Sequence, residues 1–204
     1  MTGLARAADR VLRAEDEYRA GVGEAPLRML ASLVVVSGVT YGAAMGTFGG
    51  WRWQIVFSAL KVPMLIFACT LLCLPTFFVL HMLLHIRDDF GVAIRGVLAA
   101  QATLGLTLAA LAPVTMLFYA SITNYELAVL GNGLPFLVAT LAGQWTLSRH
   151  YAPLIARDDR HTLTRNAWLF LYGFITIQAA WVLRPVIGSP DLPVRFFREE
   201  AGDN

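Results

Sequence analysis

The sequence predicts an all-α fold: a polytopic membrane helical bundle of about five transmembrane helices, with the N-terminus inside and the C-terminus outside. Three observations predict it. Apolar residues make up 57% of the 204-residue chain and charged residues only 15%, against roughly 25% charged in soluble proteins. The apolar residues gather into runs long enough to cross hydrocarbon, for which roughly 20 residues suffice. The arginines fall unevenly on the two sides of those runs. A water-soluble fold of this length lacks the interior to hide so much apolar surface, whereas lipid can solvate it.

The N-terminal segment, 1–27, carries Leu4, Ala8, Val11 and Leu12 at helical spacing, flanked by Arg6, Arg10 and Arg13. It reads as a short amphipathic helix lying on the inner membrane surface. It is too long and too charged for a secretory n-region, so the apolar run after it reads as a retained span. Five runs then make up a transmembrane domain over 28–186: 29–49, 54–82, 95–119, 126–148 and 167–186. Helix is preferred to strand because the runs are long and do not alternate. Residues 187–204 form a turn-rich extracytoplasmic tail in which Phe196 and Phe197 reach the interface.

Direction follows from the positive-inside rule. Arg6, Arg10, Arg13, Arg19 and Arg28 precede the first run, Arg87 and Arg95 lie between the second and third, and Arg149, Arg157, Arg160 and Arg165 lie between the fourth and fifth. The opposite side holds only Arg52, Arg184, Arg195 and Arg198. Trp51, Trp53, Trp145, Trp168 and Trp181 fall at run ends, where an amphipathic ring suits the membrane interface.

The net charge of +2, with no basic run interleaved with aromatics, argues against a nucleic-acid partner. Cys69 and Cys73 lie within one apolar run and read as small packing residues rather than a disulfide or metal pair. Gly38, Gly42 and Gly46 repeat every four residues, which leaves a groove for close backbone approach by another helix, in this chain or in a second subunit.

Lys61 is the one charged side chain deep in a run, and such a group is a functional-site hypothesis by default. Its stem could instead snorkel to the outer interface, about 10 Å away at 1.5 Å per residue. Glu126, preceded by the candidate helix cap Asn124, and Arg184 fall on the same side, giving a candidate polar intramembrane cluster of Lys61, Glu126 and Arg184. Gly131-Asn132-Gly133-Leu134-Pro135 strings helix breakers together inside the fourth run. A broken helix there could expose backbone termini to an ion or substrate; a kink in a packed helix is the plainer reading. Gln101, Gln144 and Gln178 read as buried amides that tie spans together.

On the inner side, His81 and His85, four apart, precede Arg87-Asp88-Asp89, and Arg157-Asp158-Asp159-Arg160-His161 stands before the fifth run. These could assemble a His/Asp metal site, or form a solvated loop of mixed charge. Neither HExxH, a nucleophilic triad context, a P-loop nor a glycine-rich dinucleotide turn is present in the sequence. No cofactor and no enzymatic activity are expected.

Five spans with this orientation, the stretch TYGAAMG (Thr40 to Gly46) and a third run ending APVTMLFYA resemble the Yip-domain family, membrane proteins of Golgi trafficking with bacterial relatives. That family's cytoplasmic aspartate-leucine-tyrosine-glycine motif is missing from the sequence. SALKVP (Ser58 to Pro63) and QAAWVLRPVIGSP (Gln178 to Pro190) look like runs of uncharacterised bacterial inner-membrane proteins, and fifteen arginines against one lysine suggest a bacterial genome rich in GC. The expected function is a non-enzymatic, multi-pass inner-membrane component. Scaffold, accessory subunit or assembly factor are its forms, with the bilayer and either protein partners or further copies of itself as company. The alternative is a small channel or transporter for ions or anionic solutes, with a polar outward-facing cavity.

Overall fold

The computed structural model describes residues 3–13, 27–48 and 52–182. They form six α-helices and no strand: α1 (Gly3–Arg13), α2 (Leu27–Met45), α3 (Arg52–Leu83), α4 (Phe90–Ser121), α5 (Tyr125–Arg157) and α6 (Arg160–Val182), with one 3-10 turn at Arg87–Asp89. Four of them, α2 to α5, are long and apolar enough to cross a membrane. Large apolar side chains such as Leu71, Leu117, Leu130, Leu141, Phe170 and Ile177 point outward on α3 to α6. Hydrocarbon accommodates such a surface and water does not.

The helices close a ring: α2 packs between α3 and α4, α4 between α2 and α5, and α6 between α3 and α5. Small residues set how closely they approach. On α2, a β-carbon added at Gly42 would overlap the Ser58 carbonyl oxygen and lie 2.8 Å from Ala59 Cα. At Gly46 it would overlap Ile55 Cα, and at Gly38 it would stand 3.1 Å from Pro63 Cβ. The glycine groove is thus filled by α3 of the same chain. The most enclosed helix is α4, whose Gly96, Ala99, Ala100, Ala102 and Gly105 leave room for α2 and α5 on either side.

Along α3, Gln54, Ser58, Lys61, Leu65, Cys69, Cys73, Phe77 and His81 recur at helical spacing and all face inward. Both cysteines are free and fully buried, in packing positions. α1 sets Ala7 and Val11 into the core cluster beside α2 and α4, and its other side chains up to Leu12 are exposed or half-buried.

Several sequence expectations change here. α4 begins at Phe90 rather than residue 95, and α5 runs on to Arg157 rather than stopping near 148. Hydropathy registers only the length that lipid would solvate, whereas backbone hydrogen bonding carries a helix beyond it. The expected inner loop before the last helix is reduced to Asp158 and Asp159. Trp168 is not an interfacial ring: it is 1% exposed, 5.1 Å from the Phe77 ring and stacked on Tyr172. Trp53 and Trp145 are exposed. Gln178 is exposed too, because its face of α6 looks outward. Trp51, the side chain of Trp181, Arg184 and the tail 187–204 lie outside the described residues.

α5 is also unbroken through Gly131, Asn132, Gly133 and Pro135. Without water to compete for backbone groups, a helix in an apolar setting tolerates glycine and even proline, which forfeits one backbone bond. A β-carbon at 131 would strike the Phe118 ring, which would have to turn aside to admit it. Asn124 caps this helix as expected, its Oδ1 accepting from the Leu127 amide at 3.2 Å.

The end of α3 separates His81 from His85. His85 adopts φ of 58°, the Ile86 amide reaches back to the His81 carbonyl at 3.0 Å, and the His85 amide reaches Met82 at 3.1 Å. This pair of bonds is a Schellman termination with His85 in the position that glycine ordinarily takes. A left-handed conformation costs an L-residue about 1–2 kcal/mol. His85→Gly should therefore raise stability by up to about 1 kcal/mol once glycine's own entropy cost is set against that gain. An unchanged or lower midpoint in detergent unfolding would refute it.

Candidate functional site

Two polar constructions and one open crevice lie inside the bundle. The first construction joins three helices through one residue. Tyr41 on α2 donates its hydroxyl to Asn132 Oδ1 at 3.1 Å, and Asn132 Nδ2 donates to the Tyr119 hydroxyl on α4 and to the Ala128 carbonyl at 3.3 Å. All three side chains are at least nine-tenths buried. The residue that reads as a helix breaker is therefore the junction of α2, α4 and α5. Tyr172 on α6 donates similarly to Gln101 Oε1 on α4 at 2.9 Å, which realises one expected amide tie.

The second construction sits at the end of the bundle where α3 gives way to α4 and α5 to α6. His81 Nδ1 donates to the Phe77 carbonyl at 2.8 Å, and His161 Nε2 donates to Asp89 Oδ2 at 3.1 Å. The rings of His81 and His161 are 6.3 Å apart, and both residues are fully buried. Arg160 pins this corner by donating to the Leu84 carbonyl at 2.7 Å and to Asp158 Oδ2 at 2.9 Å through a different nitrogen. The hydrogen bond from Arg160 holds the Asp158 carboxyl below the usual carboxylate range.

The two charged segments around 87–89 and 157–161 thus do meet, but not as the His81, His85, Asp88, Asp89 set that spacing suggested. His85 is turned outward by the Schellman termination and Asp88 is exposed. Among the described residues, no group of three or more His, Cys, Asp or Glu side chains is arranged to hold a metal ion.

The crevice lies between α3, α5 and α6. Its volume is about 680 Å³, and its walls include Lys61, Val62 and Leu65 from α3, Phe136 and Gln144 from α5, and Tyr172 from α6. It exists because α5 and α6 meet at their Asp158–Asp159 turn and share the sparsest of the ring's seams.

Lys61 is 1% exposed and belongs to this lining. It does not lie along the outer surface of the bundle, because position 61 shares a helix face with Ser58, Leu65 and Cys69. Glu126, by contrast, is exposed on the first turn of α5 and forms no ion pair among the described residues. Of the expected cluster, Lys61 and Glu126 are not brought together, and Arg184 lies outside the described residues.

Comparison with family models, with curated proteins and with solved structures finds no match. The site is therefore defined by its own chemistry: a buried cation, a shielded amide and apolar walls. Sequence reasoning overlooked Tyr172 and Gly173 as crevice residues, whereas Gly133 stands in the string of helix breakers it singled out. The heptad-like run from Gln54 to Cys69 carries the signal that Lys61 turns inward. Gly173 carries none, since an isolated glycine in an apolar helix looks the same whether it packs or lines a void.

Proposed function

We propose that this chain is a non-enzymatic, multi-pass component of a bacterial inner membrane, most simply a scaffold or accessory subunit of a larger assembly. In that reading α6 is the fifth span, α1 and the arginine-rich turns face the cytoplasm, and the C-terminus is outside. The arginine distribution supports the direction. The observation that carries the function is how the interior polar groups are spent. Asn132 ties three helices, Gln101 ties a fourth to α4, and His161 and Arg160 lock the inner corner. These are fastenings that hold a rigid body, and its long apolar outer faces offer area for neighbouring helices.

Extraction in mild detergent followed by native electrophoresis tests this: the chain should migrate with defined protein partners or as a homo-oligomer, and a solitary monomer would refute it. A periplasmic reporter fused after Asn204 should be active, and an inactive one reverses the orientation.

Lys61 in the crevice favours a second reading, a carrier for anionic solutes. Reconstituted liposomes should then show anion flux that Lys61→Met abolishes; flux no greater than that of empty vesicles removes this reading.

A further inference from the structure

Four histidines occur in the chain, and two of them share one buried corner of the bundle. His81 comes from the last turn of α3 and His161 from the first turn of α6, and each is 0% exposed. Their ring centres stand 6.3 Å apart. Phe77 and Phe90 wall His81, at 4.4 and 5.4 Å between rings, and Tyr151 walls His161 at 6.4 Å. Asp89, in the 3-10 turn beside them, keeps its side chain 32% exposed. The corner therefore meets its surroundings through a carboxylate.

The hydrogen bonds fix where the ring protons are. A carbonyl and a carboxylate only accept, so His81 Nδ1 carries a proton toward Phe77 and His161 Nε2 carries one toward Asp89. The opposite nitrogens, His81 Nε2 and His161 Nδ1, are then lone-pair acceptors in the neutral rings. Both are buried, and neither has a hydrogen-bond partner among the described residues. Two acceptors cannot satisfy one another, and an acceptor shielded from solvent is costly without a donor. One donor serving both nitrogens removes both costs.

The ring separation distinguishes the kinds of bridge. Two imidazoles on one tetrahedral metal, with nitrogens about 2.0–2.1 Å from it, have ring centres about 5 Å apart. A donor atom about 2.9 Å from each nitrogen sets them about 6–7 Å apart. The observed 6.3 Å belongs to the second kind. Among the described residues, the corner also gathers no set of three His, Cys, Asp or Glu ligands. A water has one proton for each of the two lone pairs, and buried waters ordinarily bond to about 2–4 polar groups.

We infer that Asp89, His161, one bridging water and His81 form a proton relay between the edge of the bundle and its interior. Chains of acids and histidines carry protons in this way through membrane bundles. A proton on His81 Nε2 passes to the water, and the water passes one to His161 Nδ1. His161 yields its Nε2 proton to Asp89, which releases it to solvent. One proton leaves His81, one appears on the carboxylate, and His161 ends as its other tautomer. The reverse sequence loads His81. The His161–Asp89 bond that fastens the corner thus also conducts, whether the bundle serves as a subunit or a carrier.

The test uses the full-length protein with isotope-labelled histidine in lipid nanodiscs. Nitrogen NMR should show His81 protonated at Nδ1, with Nε2 a hydrogen-bonded acceptor whose signal correlates with water protons. In acid, where His81 Nε2 carries a proton, exchange of that proton with deuterium oxide reads the relay itself. Asp89→Asn leaves an acceptor for His161, which preserves the corner, but takes away the proton's exit. Exchange should slow by about a hundredfold, the low end of what a positioned proton acceptor contributes. His161→Phe keeps the ring's bulk and should abolish the water correlation as well. His85→Gln, on an exposed position outside the corner, should change neither.

The relay is disproved if His81 Nε2 shows no water correlation, or if its proton exchanges as fast in Asp89→Asn as in the parent. A His81 signal that moves with ammonium chloride but not with potassium chloride would identify a bound ammonium ion as the bridge, and the water relay would fall.

Discussion

Gly42→Ala should be among the most damaging single-atom additions available in this chain, lowering stability in detergent by about 2–3 kcal/mol, at the upper end of overpacking costs. The new β-carbon would overlap the carbonyl oxygen of Ser58 and crowd Ala59 Cα, and both are backbone atoms that no rotamer change can move. Relief requires α2 and α3 to separate, which also loosens Gln54 and Ser58, a buried hydrogen-bonded pair at 3.1 Å on the facing surface. The same substitution elsewhere gives an internal scale. Gly46→Ala should approach the effect of Gly42→Ala, whereas Gly38→Ala, 3.1 Å from Pro63 Cβ, asks only a few tenths of an ångström. Gly133→Ala meets nothing and should be neutral or slightly stabilising, since alanine is the better helix former. Reversible unfolding in mixed micelles would rank the four. If Gly42→Ala and Gly133→Ala unfold alike, α2 and α3 do not approach as closely as described.

This glycine seam was legible in the sequence because its signal is periodic: three glycines at a spacing of four can only line one helix face. The helical class and the positions of the runs were legible for a related reason, since apolar side chains must cover any helix that hydrocarbon solvates. What hydropathy does not carry is the identity of the partner across each seam. Asn132 between two glycines looks like a break when α5 is read alone, and becomes a junction only when Tyr41, some ninety positions away, is placed opposite.

His81 and His85 fail as a pair for a local reason. The helix that would align them ends at Leu83, and only the left-handed backbone at His85 reveals it. Lys61 shows the limit from the other side. Its depth was readable, but whether the ammonium returns to the surface or turns inward depends on a helix face shared with Ser58, Leu65 and Cys69. The crevice it lines arises from the divergence of two helices, a property of packing with no counterpart in either helix's sequence.

Asn132→Leu should be the second severe substitution, with an expected loss of about 1–3 kcal/mol. Leucine matches the side chain in size, so the change tests the hydrogen bonds rather than the volume. Without the amide, the Tyr41 hydroxyl loses its acceptor in a residue that is 0% exposed, and Tyr119 loses its donor in one that is 7% exposed. Single interhelical bonds in membrane proteins average only about 0.6 kcal/mol, because the separated helices find other partners. Two stranded hydroxyls in one enclosed pocket have fewer such options, and this places the expected loss above that average. Tyr41→Phe removes the stranded group itself. It should therefore cost less than Asn132→Leu, and combining the two should restore part of the stability lost by the asparagine change. A double-mutant cycle in mixed micelles measures this as a coupling of at least about 0.5 kcal/mol, the lower bound for residues in one hydrogen-bonded network. Strict additivity of the two losses would mean that α2 and α5 are joined by shape alone, and the reading of Asn132 as the junction of three helices would have to be given up.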